Sequence, residues 1–246
     1  MNSPLIVNYC QQKVFQQDNC YCLYDSDQVK NFTPQMFEAD YWQQRNAVNG
    51  TAQGRGTTYF IQHQQQQWVL RHYYRGGLIG KLIHDSYLFT GYQKTRAAQE
   101  FALLSQLAVL GLPAPKPVAY RITRSGLTYQ ADIISERINH AKDLVALLSE
   151  QTLAAASWRA IGHCIQRFHQ QGIYHHDLNA HNILIDDQEK IWLIDFDRGE
   201  QRKPAQQWQQ QNMDRLLRSF NKECLKFSQF HWQPDNWRQL MEGYLS

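Results

Sequence analysis

Long apolar runs are missing from this chain. The longest, such as Ala102 to Leu104 and Ala108 to Leu110, fall far short of the roughly 18 residues that a membrane-spanning helix needs. The opening MNSPLIVNYC has no basic start followed by an apolar stretch, so no signal peptide is expected and the expected compartment is the cytoplasm. Cysteine is scarce. Cys10, Cys20, Cys22, Cys164 and Cys224 contain only one close pair, Cys20-x-Cys22, which excludes a disulfide framework and reads as ordinary thiols. Charge is also modest, 19% of residues with a net +3, too small a surplus to imply nucleic acid but compatible with an anionic substrate or an acidic membrane surface. What is plentiful is aromatic: 13% of the 246 residues, with 43% hydrophobic, argues against disorder and for one sizeable core or two small lobes.

Periodicity divides the chain. Thr33-Pro34 reads as a cap followed by proline at the first position of a short helix towards Trp42. Thr57 to Ile61 and Trp68 to Leu70, joined through His63 to Gln67, read as a hairpin. From about Lys94 to Leu110, Phe101, Leu104, Ala108 and Leu103, Leu107, Leu110 follow helical spacing, and Gly111 and Pro113 stop the helix. Strands near Pro117 to Ile122 and Leu127 to Ser135 follow, then a helix from about Leu153 to Gln170 ended by Gly172. Short apolar strands at Asn182 to Ile185 and Lys190 to Ile194 lead into a helical C-terminus. The expected fold is α+β: a β-rich lobe with one helix over residues 1–136, a helical lobe over 137–246, and a cleft between them.

The stretch YHHDLNAHNILID, Tyr174 to Asp186, holds three histidines, and a zinc site of His175, His176, His181 and Asp177 is one reading of it. Neither the i, i+4 helical spacing nor a third ligand supports that reading. The order and spacing fit H-x-D-L-x-x-x-N instead, with Ile194-Asp195-Phe196-Asp197 downstream resembling a D-F-G metal-binding turn. That set serves phosphoryl transfer. Asp177 would accept the proton of a substrate hydroxyl and orient its oxygen. Asn182 and Asp195, both hard oxygen ligands, would hold Mg²⁺ on the phosphates of ATP. A hairpin between the two segments would bring all three to one edge, with the histidines framing the aspartate.

These residues resemble the protein-kinase-like superfamily, with departures. Asn179 stands at the usual catalytic-loop lysine, Asp197 replaces the glycine of D-F-G, and no A-P-E follows. Little room remains for an activation segment, which favours a small-molecule or saccharide acceptor over a protein. Under the same resemblance, Gly54, Arg55 and Gly56 lie where a glycine-rich phosphate loop belongs, although they do not form G-x-G-x-x-G. Trp68-Val69-Leu70-Arg71 parallels V-A-I-K, which makes Arg71 one candidate for the phosphate-binding cation; Lys81, in RGGLIGK, is the other. Glu100 is the natural partner of that cation. The backbone around Glu136, at the hinge between lobes, is expected to hold the adenine.

A wider set of motifs, GRGTTYF, LRHYYRGGLIGKL, GLPAPKPVAY, HHDLNAHNIL and IDFDRG, resembles the bacterial 3-deoxy-D-manno-octulosonic acid (Kdo) kinases, which belong with the lipopolysaccharide core heptose kinases. The resemblance runs from about Trp42 to Phe220. It implies a bilobal kinase-like fold lacking a full activation segment, ATP and Mg²⁺, and transfer to the 4-hydroxyl of Kdo on Kdo–lipid A at the cytoplasmic face of a Gram-negative inner membrane. Arg71, His72, Arg75, Lys81 and Arg198 would suit an anionic acceptor. Arg215, Arg218, Lys222 and Lys226 recur at helical steps opposite an apolar stripe of Met213, Leu216, Leu217, Phe220, Cys224 and Phe227. That basic face meets anionic lipid or is simply solvated. Rival readings are an antibiotic or small-amine phosphotransferase, an atypical protein kinase, and a kinase-like binding module without chemistry.

Overall fold

A computed structural model of the protein describes residues 11–54, 56–75 and 85–246. The chain divides into two compact units. One takes in the chain up to Val109 together with Pro115–Arg137; the other takes Leu110–Ala114 and Ile138–Ser246.

The first unit is an antiparallel sheet with one long helix. Its strands are β1 (Gln12–Gln17), β2 (Cys20–Asp25), β3 (Val48–Gln53), β4 (Thr57–His63), β5 (Gln66–His72), the short β6 (Tyr87–Leu88), β7 (Pro117–Ser125) and β8 (Thr128–Glu136). The order across the sheet is β1-β2-β7-β8-β5-β4-β3, with β6 also paired to β8. Three tight turns carry a left-handed residue: Asp18 (φ 51°) between β1 and β2, Gln64 (φ 55°) between β4 and β5, Gly126 (φ 59°) between β7 and β8. The β1–β2 hairpin, unassigned from the sequence, extends the sheet by pairing Cys20–Tyr24 with Thr123–Ala119.

The helix expected towards Trp42 is broken in two. Pro34–Phe37 form a 3-10 turn, Glu38 is extended, and α1 (Ala39–Gln43) follows. Thr33 caps nothing with its side chain. The break is held because the Trp42 indole Nε1 donates to the Met36 carbonyl at 2.7 Å. Trp42 then buries with Trp68, Ile61, Val118 and Ile134, a core that at about 2 kcal/mol per buried large side chain anchors the sheet. Helix α2 (Arg96–Val109) buries Phe101, Leu103, Leu104 and Leu107 and ends before Gly111, at φ 63°.

The second unit is mainly helical. It comprises β9 (Lys142–Asp143), α3 (Leu144–Glu150), α4 (Ala155–Gln170), β10 (Ile173–Tyr174), β11 (Ile183–Ile185), β12 (Ile191–Leu193), β13 (Glu200–Gln201), α5 (Gln206–Cys224) and α6 (Pro234–Leu245). Asp143 caps α3 by accepting the N–H groups of Val145 and Ala146. Helices α4 and α6 pack at glycine: a Cβ on Gly162 would lie 1.9 Å from the Leu240 carbonyl oxygen, and one on Gly243 2.0 Å from that of Arg159. Trp158, Ile161, Ile165 and Phe168 of α4 and Leu216 and Phe220 of α5 are buried, with Trp158 packed edge-on to Phe220. Between the D-F-D turn and α5 the chain is short: β13 pairs back on β10, and α5 begins at Gln206.

Among the described residues no helix is long and apolar enough to cross a membrane.

Candidate active site

Strand β10 delivers the chain into a loop whose backbone is tied from several sides. His175 is buried; its Nε2 donates to the Ile194 carbonyl at 2.9 Å while its Nδ1 accepts the Asp177 N–H at 3.2 Å. One nitrogen gives and the other takes, which is the neutral imidazole, and burial lowers the pKa of this ring. Asn179 closes a local turn, accepting the His181 N–H at 2.9 Å and donating to the Asp177 carbonyl at 3.1 Å. Asn182 donates to the same carbonyl at 2.9 Å. Because a carbonyl can only accept, it is the amide nitrogen of Asn182 that faces Asp177, and this bond leaves its Oδ1 unused.

Asp195 joins this group through the β11–β12 hairpin. Ile183 pairs with Leu193, and the Ile194 N–H donates to the Asn182 carbonyl at 3.0 Å, so Asp195 follows directly beside Asn182. Asp195 itself holds φ 60°, a left-handed backbone that aspartate tolerates better than most side chains. Phe196 anchors the turn: it is fully buried, stacked on Phe168 at 5.7 Å and 4.8 Å from the His175 ring. The structure therefore gathers Asp177, Asn182 and Asp195 at one end of a short hairpin, around a neutral histidine.

Helix α5 supplies what the local pattern did not reveal. Arg215 Nη1 lies 3.1 Å from Asp177 Oδ1, the two side chains being 44% and 52% exposed. Asn212 holds both the N–H and the carbonyl of His175, and Ser219 Oγ accepts the Ala180 N–H. Asn212 is buried in α5 beside Trp208, Met213 and Leu216, and the sequence carries no local signal for it.

The expected basic face and apolar stripe of this helix are only partly present. Helix α5 closes at Cys224, so Lys226 and Phe227 lie beyond it, and Cys224 is exposed where Glu223 is buried. Arg215 pairs with Asp177, and Lys226 with Glu223 at 2.6 Å, leaving Arg218 and Lys222 on the exposed surface. His181 sits between Asp143 (3.6 Å) and Glu223 (3.5 Å), and its bond to Asp143 foremost raises its pKa despite part-burial.

The remaining expected residues belong to the first unit. Arg71, on β5, places Nη2 2.6 Å from both carboxylate oxygens of Glu100 on α2. Glu100 is 4% exposed and also accepts the Tyr73 hydroxyl at 2.5 Å. Gly54 and Gly56 form the turn of the β3–β4 hairpin, with the Gly54 N–H donating to the Gly56 carbonyl at 3.1 Å. Tyr74 lies against Gly56 so closely that a Cβ there would be 1.9 Å from its ring. Arg55 and Lys81 fall outside the described residues. Glu136 ends β8; its N–H is engaged by the Lys116 carbonyl, and burial raises the pKa of its carboxyl.

A family model described as the lipopolysaccharide kinase (Kdo/WaaP) family matches residues 39–244. The chain belongs to this family. Membership in the lipopolysaccharide kinase family makes the α+β fold a kinase-like one and implies ATP as the phosphoryl donor. Several similar proteins are each named 3-deoxy-D-manno-octulosonic acid kinase. That of Vibrio parahaemolyticus serotype O3:K6 (strain RIMD 2210633) is 47% identical over 229 residues, 93% of this chain and 95% of its own. That of Photobacterium profundum is 48% identical over 227 residues, 92% and 95% respectively. That of Haemophilus influenzae (strain PittEE) is 47% identical over 241 residues, 94% and 98%.

Proposed function

We propose that the protein is a Kdo kinase of lipopolysaccharide core biosynthesis, transferring the γ-phosphoryl group of ATP to the 4-hydroxyl of Kdo on Kdo–lipid A. The observation that carries the reading is the Asp177, Asn182 and Asp195 cluster, tied by the Asn182–Asp177 and Ile194–Asn182 hydrogen bonds. Family membership and the names of the similar proteins agree with it. The functional unit combines the N-terminal 1–136 and the C-terminal 137–246.

Asp177 acts as the base. Its carboxylate is half exposed and can meet an incoming hydroxyl, while the loop around it is fixed, so orientation costs little at the moment of reaction. Asn182 and Asp195 would hold Mg²⁺. They fit it: Asn182 Oδ1, not used by the bond to Asp177, and a carboxylate are hard oxygens, and Mg²⁺ in such enzymes takes one or two protein ligands with phosphates and water filling the rest. Mg²⁺ when bound would offset charge on the transferring phosphoryl group. Arg71 or Lys81 holds ATP phosphates, with Glu100 holding Arg71 through Nη2. Gly54, Arg55 and Gly56 form the phosphate turn, and the chain around Glu136 holds the adenine.

Arg215 beside the base, with Arg198 near His176, suits an anionic acceptor and disfavours a cationic antibiotic. Contact with the cytoplasmic face of the inner membrane is peripheral, through Arg218 and Lys222 and the exposed Leu225 (89%) just past α5. Each cation there contributes about 1 kcal/mol at low salt.

The test offers protein, Mg²⁺ and γ-labelled ATP to Kdo–lipid A, an aminoglycoside and a generic protein substrate in parallel, with Asp177→Ala as blank. Label only in the Kdo lipid supports the reading; label in drug or protein, or in none, overturns it. Liposome sedimentation unchanged by neutralising Arg218 and Lys222 would remove the lipid contact.

A further inference from the structure

The catalytic aspartate has a cation at its side that comes from the wrong place for this fold. Asn179 occupies the position where the kinase pattern carries lysine, and both ends of its amide are bonded within the loop, to His181 N–H and the Asp177 carbonyl. It cannot turn to a substrate without releasing the loop. The charge is supplied by Arg215, whose Nη1 reaches Asp177 Oδ1. Its neighbours show that this is a placed contact. Asn212, Arg215 and Ser219 lie at helical steps on one face of α5; the outer two hold the loop backbone at His175 and Ala180, and Arg215 between them meets the side chain of the base.

The ion pair does little for the fold. Both partners are about half exposed, the condition under which such pairs stabilise least. Its geometry has a better use. A guanidinium is a planar fork of five donors; one is engaged by Asp177, and the others face a half-open surface. A fork binds a carboxylate through two parallel bonds, which a lysine cannot do. An acceptor hydroxyl on Asp177 therefore finds the fork within reach of any carboxylate a few bonds away on the same sugar.

Resting on the Kdo kinase reading, we propose that Arg215 is the specificity residue that recognises the carboxylate of the acceptor sugar acid, and so sets the reactive hydroxyl on Asp177. In the transfer the acceptor oxygen forms its bond to the γ-phosphorus as the bond to the β–γ bridging oxygen breaks. The hydroxyl proton passes to Asp177 and ADP leaves.

The experiment compares Kdo–lipid A with the same lipid whose Kdo carboxylate is reduced to an alcohol, using the full chain and its Arg215→Met and Arg215→Lys variants. The native protein is expected to prefer the acid by about 10- to 100-fold in kcat/KM, the range of a charge-assisted bond. Arg215→Met should reduce that preference to within about 3-fold, and Arg215→Lys, with charge but no fork, should fall between. Thermal melting of both variants within about 2 °C of the native protein checks the fold, since the pair is exposed. A preference retained in Arg215→Met, even with both rates lowered, overturns the proposal by moving Arg215 to the base or the phosphate. Transfer by the native protein to neither lipid overturns the Kdo reading itself, a result distinct from a retained preference.

Discussion

Asn212 grips His175 by both ends of its peptide: Oδ1 accepts the His175 N–H at 3.2 Å and Nδ2 donates to the His175 carbonyl at 3.0 Å, across 37 residues of chain. Asn212 is 1% exposed, so neither group has water as a substitute. Asn212→Leu leaves a buried donor and a buried acceptor unpaired, each worth about 1–3 kcal/mol. The expected outcome is a loss of about 2–5 kcal/mol in denaturant unfolding, with kcat lowered through a loosened Asp177 loop. Unchanged stability and kcat would mean that the clamp does not position the loop.

Asp177→Asn keeps the shape of the base and removes its proton affinity. Transfer should fall by about 10²- to 10⁴-fold in kcat. Stability should shift by less than about 1 kcal/mol, because the lost ion pair with Arg215 is half exposed. A circular-dichroism melt run beside the kinetics separates the two effects, and a large drop in melting temperature would contradict a purely chemical role.

The α4–α6 contact predicts a steric lesion far in sequence from the loop. A Cβ on Gly162 would overlap the Leu240 carbonyl oxygen at 1.9 Å and the Tyr244 nitrogen at 2.7 Å, both backbone atoms that cannot rotate aside. Gly162→Ala should destabilise by about 1–3 kcal/mol or more, despite alanine's better helix propensity. The Tyr244 hydroxyl also donates to His169 Nδ1 at 2.7 Å, and His169 Nε2 donates to Asn212 Oδ1 at 3.3 Å, so the displacement of α6 should reach the clamp on His175 and lower kcat as well.

His169 makes stability depend on pH. It is 2% exposed, and burial drives its pKa down to about 4. Between pH 6.5 and 4 the unfolded chain takes up a proton that the folded protein refuses, so stability falls as pH falls, by about 3 kcal/mol over that window. Buried His175, with its pKa also lowered, acts in the same direction. His72 works the other way. Burial lowers its pKa, but the bonds to Asp132 (2.7 Å) and Asp85 (3.2 Å) outweigh that and raise it, so its contribution is full below pH 6.5 and fades as pH rises through the folded value. Urea midpoints at pH 7.5 and 5, followed by tryptophan fluorescence, should show lower stability at pH 5 in the native protein and a flatter profile in His169→Gln. An equally steep profile in the variant would exclude His169 as the source.

Much of this was legible in the sequence, and the rest was hidden for physical reasons. The β4–β5 hairpin and α2 announce themselves because one face of each is buried and the apolar spacing follows. Strand β3, VNGTAQ, does not: it is an edge strand, mostly exposed, and reads as a polar glycine-rich loop. β1 buries none of its residues fully, so its alternation is faint. The Asp177 to Asn182 spacing is visible because the chemistry is local. Asn212 and Arg215 are not, since their contacts close across 37 and 38 residues, and on a helix their side chains look like any other polar positions. The basic stripe of α5 is only partly present for the same reason: helical periodicity identifies a face but not which of its charges, here Arg215 and Lys226, fold back on the protein.

The Arg71–Glu100 pair yields the prediction with the most discriminating pattern. Glu100 is buried, and both its oxygens lie 2.6 Å from Arg71 Nη2, with the Tyr73 hydroxyl on Oε2. Arg71→Met removes the guanidinium from a buried carboxylate, which costs about 3–5 kcal/mol, whereas removing both charges together is often near neutral. The double variant Arg71→Met/Glu100→Met should therefore regain most of the stability that the single variant loses. Activity should not follow it: if Arg71 is the phosphate cation, the KM for ATP stays raised in both variants. Should the double variant recover ATP affinity along with stability, the pair is structural, and Lys81 is the cation that ATP meets.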